Sequence, residues 1–70
     1  MKRELRLKGE YITLGQLLKA AGLAGSGSEA KEYIVSGMVK VNGEVDTRRG
    51  RKLYPGDKVV FEGTETEVVR

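Results

Sequence analysis

The chain contains no cysteine and no histidine. The first absence excludes disulfides and thiolate metal sites. The second removes the commonest general base and metal ligand. Carboxylates remain, but they are scattered, and no nucleophile–base pair or metal cluster stands out. Long apolar runs are missing too. Nothing approaches membrane-spanning length, and the N-terminal MKRELRLKGE lacks the apolar region of a signal peptide. The 70 residues leave room for one domain, residues 1–70. A chain this short buries only about 60% of the surface its unfolded form exposes, so no deep substrate cavity is expected. The expectation is a cytoplasmic, monomeric, non-catalytic domain with no cofactor, no metal and no membrane partner.

Charge imbalance is also slight: 13 Lys+Arg face 10 Asp+Glu, a net charge of +3. The distribution is more telling. Arg48, Arg49, Arg51 and Lys52 put four cations into five residues, interrupted only by Gly50, while the acids are dispersed. Such a block suits a polyanionic partner.

Hydrophobic periodicity changes along the chain. Leu5 and Leu7 alternate with Glu4 and Arg6, as in a short strand that Gly9 ends. Thr13 and Gln16 have capping-box spacing before an apolar stripe of Leu14, Leu17, Leu18 and Ala21, and Gly22 is placed to end that helix. Ser26 and Glu29 repeat the capping-box spacing before a second helix, roughly 28–36, with Ala30, Tyr33 and Ile34 facing inward and Gly37 as its stop. The period then becomes two. Asn42-Gly43 predicts a hairpin after MVKV, with the return strand at Glu44-Val45. The basic stretch follows as an irregular loop. Pro55-Gly56 is a turn, KVVFE a strand, Gly63-Thr64 a turn and ETEVV a last strand. The predicted order is β-α-α-β-β-β-β: an α+β fold, two short helices packed on a small, curved, mainly antiparallel sheet. Its core is expected to hold Leu17, Leu18, Ala30, Ile34, Val39, Val41, Val59 and Phe61.

The run TLGQLLKAAGLAGSGSEAKEYIVSGMVKVNG resembles the RNA-binding domain named after small-subunit ribosomal protein four, the S-four domain. That family shows R-L-D-x-x-L, then S-R-x-x-A-x-x-x-I, then G-x-V-x-V-N-G. Leu14, Leu17 and Leu18 match the first part; Ser26, Ala30 and Ile34 match the second; Gly37, Val39, Val41, Asn42 and Gly43 match the third. YPGDKVVF is similar to the family's closing strand, so the likeness spans about residues 12–61. It implies the S-four fold with its alpha-L motif, and a partner that is structured RNA, ribosomal RNA or an assembling ribosomal particle. NGEVDTRRGRKLYPGD resembles the small stand-alone bacterial members, which carry no enzyme. Two departures are visible. The family's first-helix Arg and Asp fall on Thr13 and Gly15, and the Arg of its S-R pair falls on Gly27. On this reading the cationic load has moved from the start of the second helix to the loop after the hairpin.

The residues support RNA binding on physical grounds as well. Phosphate neutralisation draws Lys and Arg to a polyanion, and Arg adds bidentate contacts. Arg48, Arg49, Arg51 and Lys52 are the first candidates, expected to be exposed and mutually repulsive, with Gly50 letting the backbone turn. The bland alternative is a solvated loop neutralised by Glu44 and Asp46, worth ~0–1 kcal/mol per exposed pair. Lys19 and Lys31 on the helices, with Lys40 on the strand beside them, would extend the stripe, though surface lysines are ordinary. Ser28 is placed to donate to a phosphate at the second helix start. Tyr54, beside the basic loop, is the aromatic candidate for base stacking; Tyr11 is a weaker one, and Tyr33 reads as core. Asn42 and Gly43 read as turn residues. Two rivals are a module docking an acidic protein surface and a DNA-binding helix-turn-helix. The second helix's exposed Glu29, Lys31, Glu32 and Val35 are not basic enough to favour the latter.

Overall fold

A computed structural model describes residues 1–70 throughout. Its elements in order are β1 (Lys2–Arg6), β2 (Ile12–Thr13), α1 (Leu14–Ala20), α2 (Gly27–Val35), β3 (Val39–Val41), β4 (Glu44–Val45), β5 (Lys52–Leu53), β6 (Lys58–Phe61) and β7 (Thr64–Val69). Five strands form one sheet in the order β1-β7-β6-β3-β4. β1 runs parallel to β7 and the remaining pairs are antiparallel. The two helices pack on one face of this mixed, mostly antiparallel sheet. No helix is long and apolar enough to cross a membrane.

Neither helix is long enough to persist alone in water. What holds them is the apolar stripe each presents. Leu14, Leu17 and Leu18 from α1, with Ala30 and Ile34 from α2, close over Val39, Val41, Val59, Phe61 and Val68 from the sheet. All the residues expected in the core are buried there. Arg3 ties β1 to this layer, its Nη1 donating to the Ala21 carbonyl at the end of α1. The Asn42-Gly43 hairpin forms as expected, with φ of 52° and 89°, the positive values a two-residue primed turn requires.

Several expectations need correction. Lys52-Leu53 is not loop: it pairs antiparallel with Ile12-Thr13 as a separate two-stranded ribbon, β2-β5. Two-residue strands carry no readable alternation, so this pairing had no local signal. The last hairpin turns one residue earlier than predicted. Phe61 pairs with Thr64, leaving Glu62 and Gly63 as the turn, both at positive φ. Glu is an uncommon residue there, which hid it. Lys40 does not lie with the helices. Val39 and Val41 are buried beneath them, so the intervening Lys40 projects from the opposite face of β3.

Asn42 does more than turn the chain. Its Nδ2 donates to Asp57 Oδ1 at 3.1 Å, and the Lys58 amide donates to its Oδ1 at 3.0 Å. The other Asp57 oxygen accepts the Tyr54 amide at 2.8 Å. The first hairpin and the Pro55-Gly56 turn are thereby clamped together, fixing both ends of the segment between them.

Candidate nucleic-acid interface

The segment between those anchors is built around Asp46, a carboxylate only 6% exposed. Its Oδ1 accepts the Arg48 amide at 2.9 Å and Arg48 Nε at 3.1 Å. Its Oδ2 accepts Arg48 Nη2 at 2.9 Å and Arg51 Nη1 at 2.8 Å. A buried carboxylate is tolerable only when it is satisfied in this way. Hydrogen bonds from the Arg48 side chain, then from Arg51 and the Arg48 amide, hold Asp46 well below the usual carboxylate range, although burial opposes them. The same contact raises the Arg48 guanidinium.

The picture of four mutually repulsive side chains is therefore incorrect. Asp46 gathers Arg48 and Arg51 to itself, whereas Glu44 makes no ion pair. The Arg48 side chain still keeps 71% of its exposure, against 29% for Arg51, so Arg48 retains donors for a ligand while Arg51 is mainly a brace.

Arg49 stands between the two braced arginines, and its position explains the glycine at 15. The Arg49 carbonyl accepts the Gly15 amide at 3.0 Å, and the Arg51 carbonyl accepts the Leu14 amide at 2.8 Å. A Cβ on Gly15 would stand 2.9 Å from Arg49 Cγ. The missing side chain lets the loop lie against the start of α1. Thr13 and Gln16 complete that start with the reciprocal capping box the spacing predicts, at 3.3 and 3.1 Å.

The start of α2 differs. Ser26 Oγ accepts the Glu29 amide at 3.1 Å, but the Glu29 carboxylate accepts from Gly25 and not from Ser26, so the predicted box is only half formed. The amides of Gly27 and Ser28 make no hydrogen bond within the protein. A Cβ on Gly27 would meet nothing within 4 Å. Gly27 faces Gly15, Lys19, Arg49 and Gly50 across an open depression between the two helix starts and the loop. Of the sequence candidates, the structure brings Lys19 and Arg49 together here. Ser28 and Lys31 border a neighbouring hollow on the outer side of α2 with Glu32 and Val35. Lys40 lies on the far face of the sheet.

The aromatic residues divide as expected. Tyr33 packs on Phe61, ring centroids 4.7 Å apart. Tyr54 is exposed, its ring 6.1 Å from that of Tyr11, and Lys52 Nζ lies 5.0 Å above the Tyr11 ring. Sequence reading missed the organising role of Asp46 and the seating of Arg49 on Gly15. The only available signal for either was an acid two residues before the basic block and a glycine where the family carries Asp.

Comparison with known proteins places this geometry in context. A family model described as the S4 domain matches residues 5–69. The Bacillus subtilis (strain 168) protein named "Probable ribosome maturation protein RlbA" is 49% identical over 63 residues, covering 90% of this chain and 89% of its own. YbcJ of Escherichia coli (strain K12) is 42% identical over 62 residues, covering 89% of each chain. The solution structure of E. coli YbcJ, described as having a motif involved in RNA-binding, superposes with a TM-score of 0.70 at 39% identity, covering 99% of this chain and 86% of that one. A tyrosine–tRNA ligase of Burkholderia lata is 44% identical over 57 residues, but these span only 14% of that enzyme.

Proposed function

Because the chain belongs to the S4 domain family, we propose that it binds structured RNA without catalysing a reaction, holding the phosphate backbone in the depression between α1, α2 and the basic loop. One observation carries this reading. Lys19 and Arg49 flank a glycine-floored hollow beside the unpaired amides of Gly27 and Ser28. Cations and free amides at a helix start are the donors a phosphate takes. Arg48, exposed on one side while Asp46 holds the other, and Lys52 on the adjoining ribbon add charge from the same basic segment. Arg51 serves to brace the loop. Ser28 and Lys31 are the next contacts along α2. The name of the B. subtilis relative points to ribosome maturation; on this reading the RNA is ribosomal and the protein acts in the cytoplasm, where ribosomes assemble.

The test is binding of a folded RNA and of duplex DNA of equal length, measured across a salt series. The RNA is expected to bind more tightly, because its groove shape and 2′-hydroxyls differ. Lys19→Ala with Arg49→Ala should flatten the slope of log K against log salt by roughly 1.4–1.8, at about 0.7–0.9 per phosphate contact. Lys40→Ala with Lys58→Ala, on the far side of the sheet, should change it far less. Equal loss in both double variants would assign the affinity to diffuse charge and reject the depression as the site.

A further inference from the structure

We infer that Tyr54 is a stacking platform for one unpaired RNA base next to the phosphate-holding depression. This rests on the RNA-binding reading above and names what the RNA must offer: a nucleotide outside a helix.

The geometry comes from the β2-β5 ribbon. Ile12 pairs with Leu53 and Thr13 with Lys52. One position further, the same register sets Tyr11 opposite Tyr54. Leu53 is fully buried and Ile12 packs on the core, so alternation sends Tyr11, Lys52 and Tyr54 outward together. They remain there as uncovered aromatic surface, Tyr11 43% and Tyr54 49% exposed. Neither hydroxyl makes a hydrogen bond within the protein, and Lys52 has no carboxylate partner.

The two rings have different tasks. Their planes are inclined at 46°, which leaves no parallel slot between them for a base. Lys52 Nζ covers one face of Tyr11, an attraction between the cation and the ring's electron-rich face. Tyr11 thus supports its neighbour and steadies the ammonium group, and Tyr54 is the ring free to receive a base. Lys52 then stands where the phosphate of that nucleotide would lie. Thr13 links the two halves of the surface, since it pairs with Lys52 and also borders the depression that holds Lys19 and Arg49. A strand leaving the depression reaches Tyr54 along the ribbon.

The experiment uses the full chain and two RNA hairpins, one with a single bulged adenosine and the other fully paired. Wild-type protein, Tyr54→Leu and Tyr54→Phe are compared by fluorescence anisotropy. Base–aromatic stacking loss corresponds to about five- to a hundred-fold in Kd. Tyr54→Leu should lose that much on the bulged hairpin and less than about twofold on the paired one, and Tyr54→Phe should match wild type on both. On the unaltered chain, the ring-proton resonances of Tyr54 should move when the bulged hairpin is added and stay in place with the paired one. Tight binding of both hairpins with no response from Tyr54 overturns the stacking site and leaves the RNA-binding reading intact. Failure of the wild-type chain to bind either hairpin overturns both.

Discussion

The starts of the two helices carry nearly the same sequence signal and end in opposite conditions. T-x-x-Q opens α1 and S-x-x-E opens α2. At α1 the chain satisfies itself: carbonyls of Arg49 and Arg51 take the Gly15 and Leu14 amides, and Thr13 takes the Gln16 amide. At α2 the Ser26 hydroxyl takes one amide, Glu29 turns back to Gly25, and the amides of Gly27 and Ser28 are left over. One start is closed by the basic loop; the other is open beside it. The closed start sets what lies beside the open one. By binding α1, the loop brings Arg49 to within reach of the depression that Gly27 borders. A capping signal in sequence reports that a helix begins, and only the tertiary neighbours decide whether its remaining donors are consumed.

The contrast can be broken most severely from below. Leu18 and Ile34 are fully buried and hold the two helices over the sheet. Leu18→Ala or Ile34→Ala should cost about 2–5 kcal/mol, measured by thermal or urea unfolding, and should disorder both starts together. A loss below about half a kcal/mol at both positions would mean that the starts are not held by this shared core.

A more selective break is Asp46→Asn. It frees Arg48 and Arg51 and should cost about 2–3 kcal/mol, because charged hydrogen bonds to a buried group are lost. The binding result separates charge from architecture. Removing an acid makes the loop more positive, so simple attraction predicts tighter RNA binding. If the loop must be held against α1 for Arg49 to face the open start, affinity should fall. Acid should erase the difference in stability. The Asp46 carboxylate is lowered from its ordinary 3.8 in the folded state, so its contribution is complete well above that value and is lost as pH falls through the folded-state value. The unfolding curves of wild type and Asp46→Asn should therefore converge at strongly acid pH.

The finest comparison sets glycine against glycine. Gly15→Ala should cost up to about 1 kcal/mol, because Arg49 Cγ stands where the new methyl must go and the general gain from replacing a helical glycine is outweighed. Gly27→Ala meets nothing and should stabilise by roughly 0.5 kcal/mol. Matched melting curves decide it; shifts of equal sign would mean that the loop does not bear on α1.

Much of this frame was legible in the chain. Leu17, Leu18, Ala30 and Ile34 declare helix faces by their spacing, and Asn42-Gly43 declares its hairpin, because those signals are local. The features that shape the site are not. Asp46 reads as one exposed acid beside a basic block until the fold buries it. The clamp from Asn42 to Asp57 joins residues from separate turns. The ribbon that raises Tyr11 and Tyr54 pairs segments about forty residues apart, through strands too short to show a period. Arg49 over Gly15 is likewise a long-range fit, and in sequence it shows only as a missing side chain.

The parallel pairing of β1 with β7 sets an order of events. Lys2 through Arg6 lie beside Glu65 through Val69, so the strand made first has as its only sheet neighbour the one made last. Closing that contact spans nearly the whole chain and carries the largest loop entropy in the molecule. The helix pair and the β3-β4 hairpin can assemble from near neighbours, while β1 must wait and then seal the edge. Hydrogen exchange should find the same seam in the finished protein, with the amides of β1 opening before those of β6. The depression between the helix starts and the basic loop takes no residue from β1 or β7, so fraying of this seam should leave it standing.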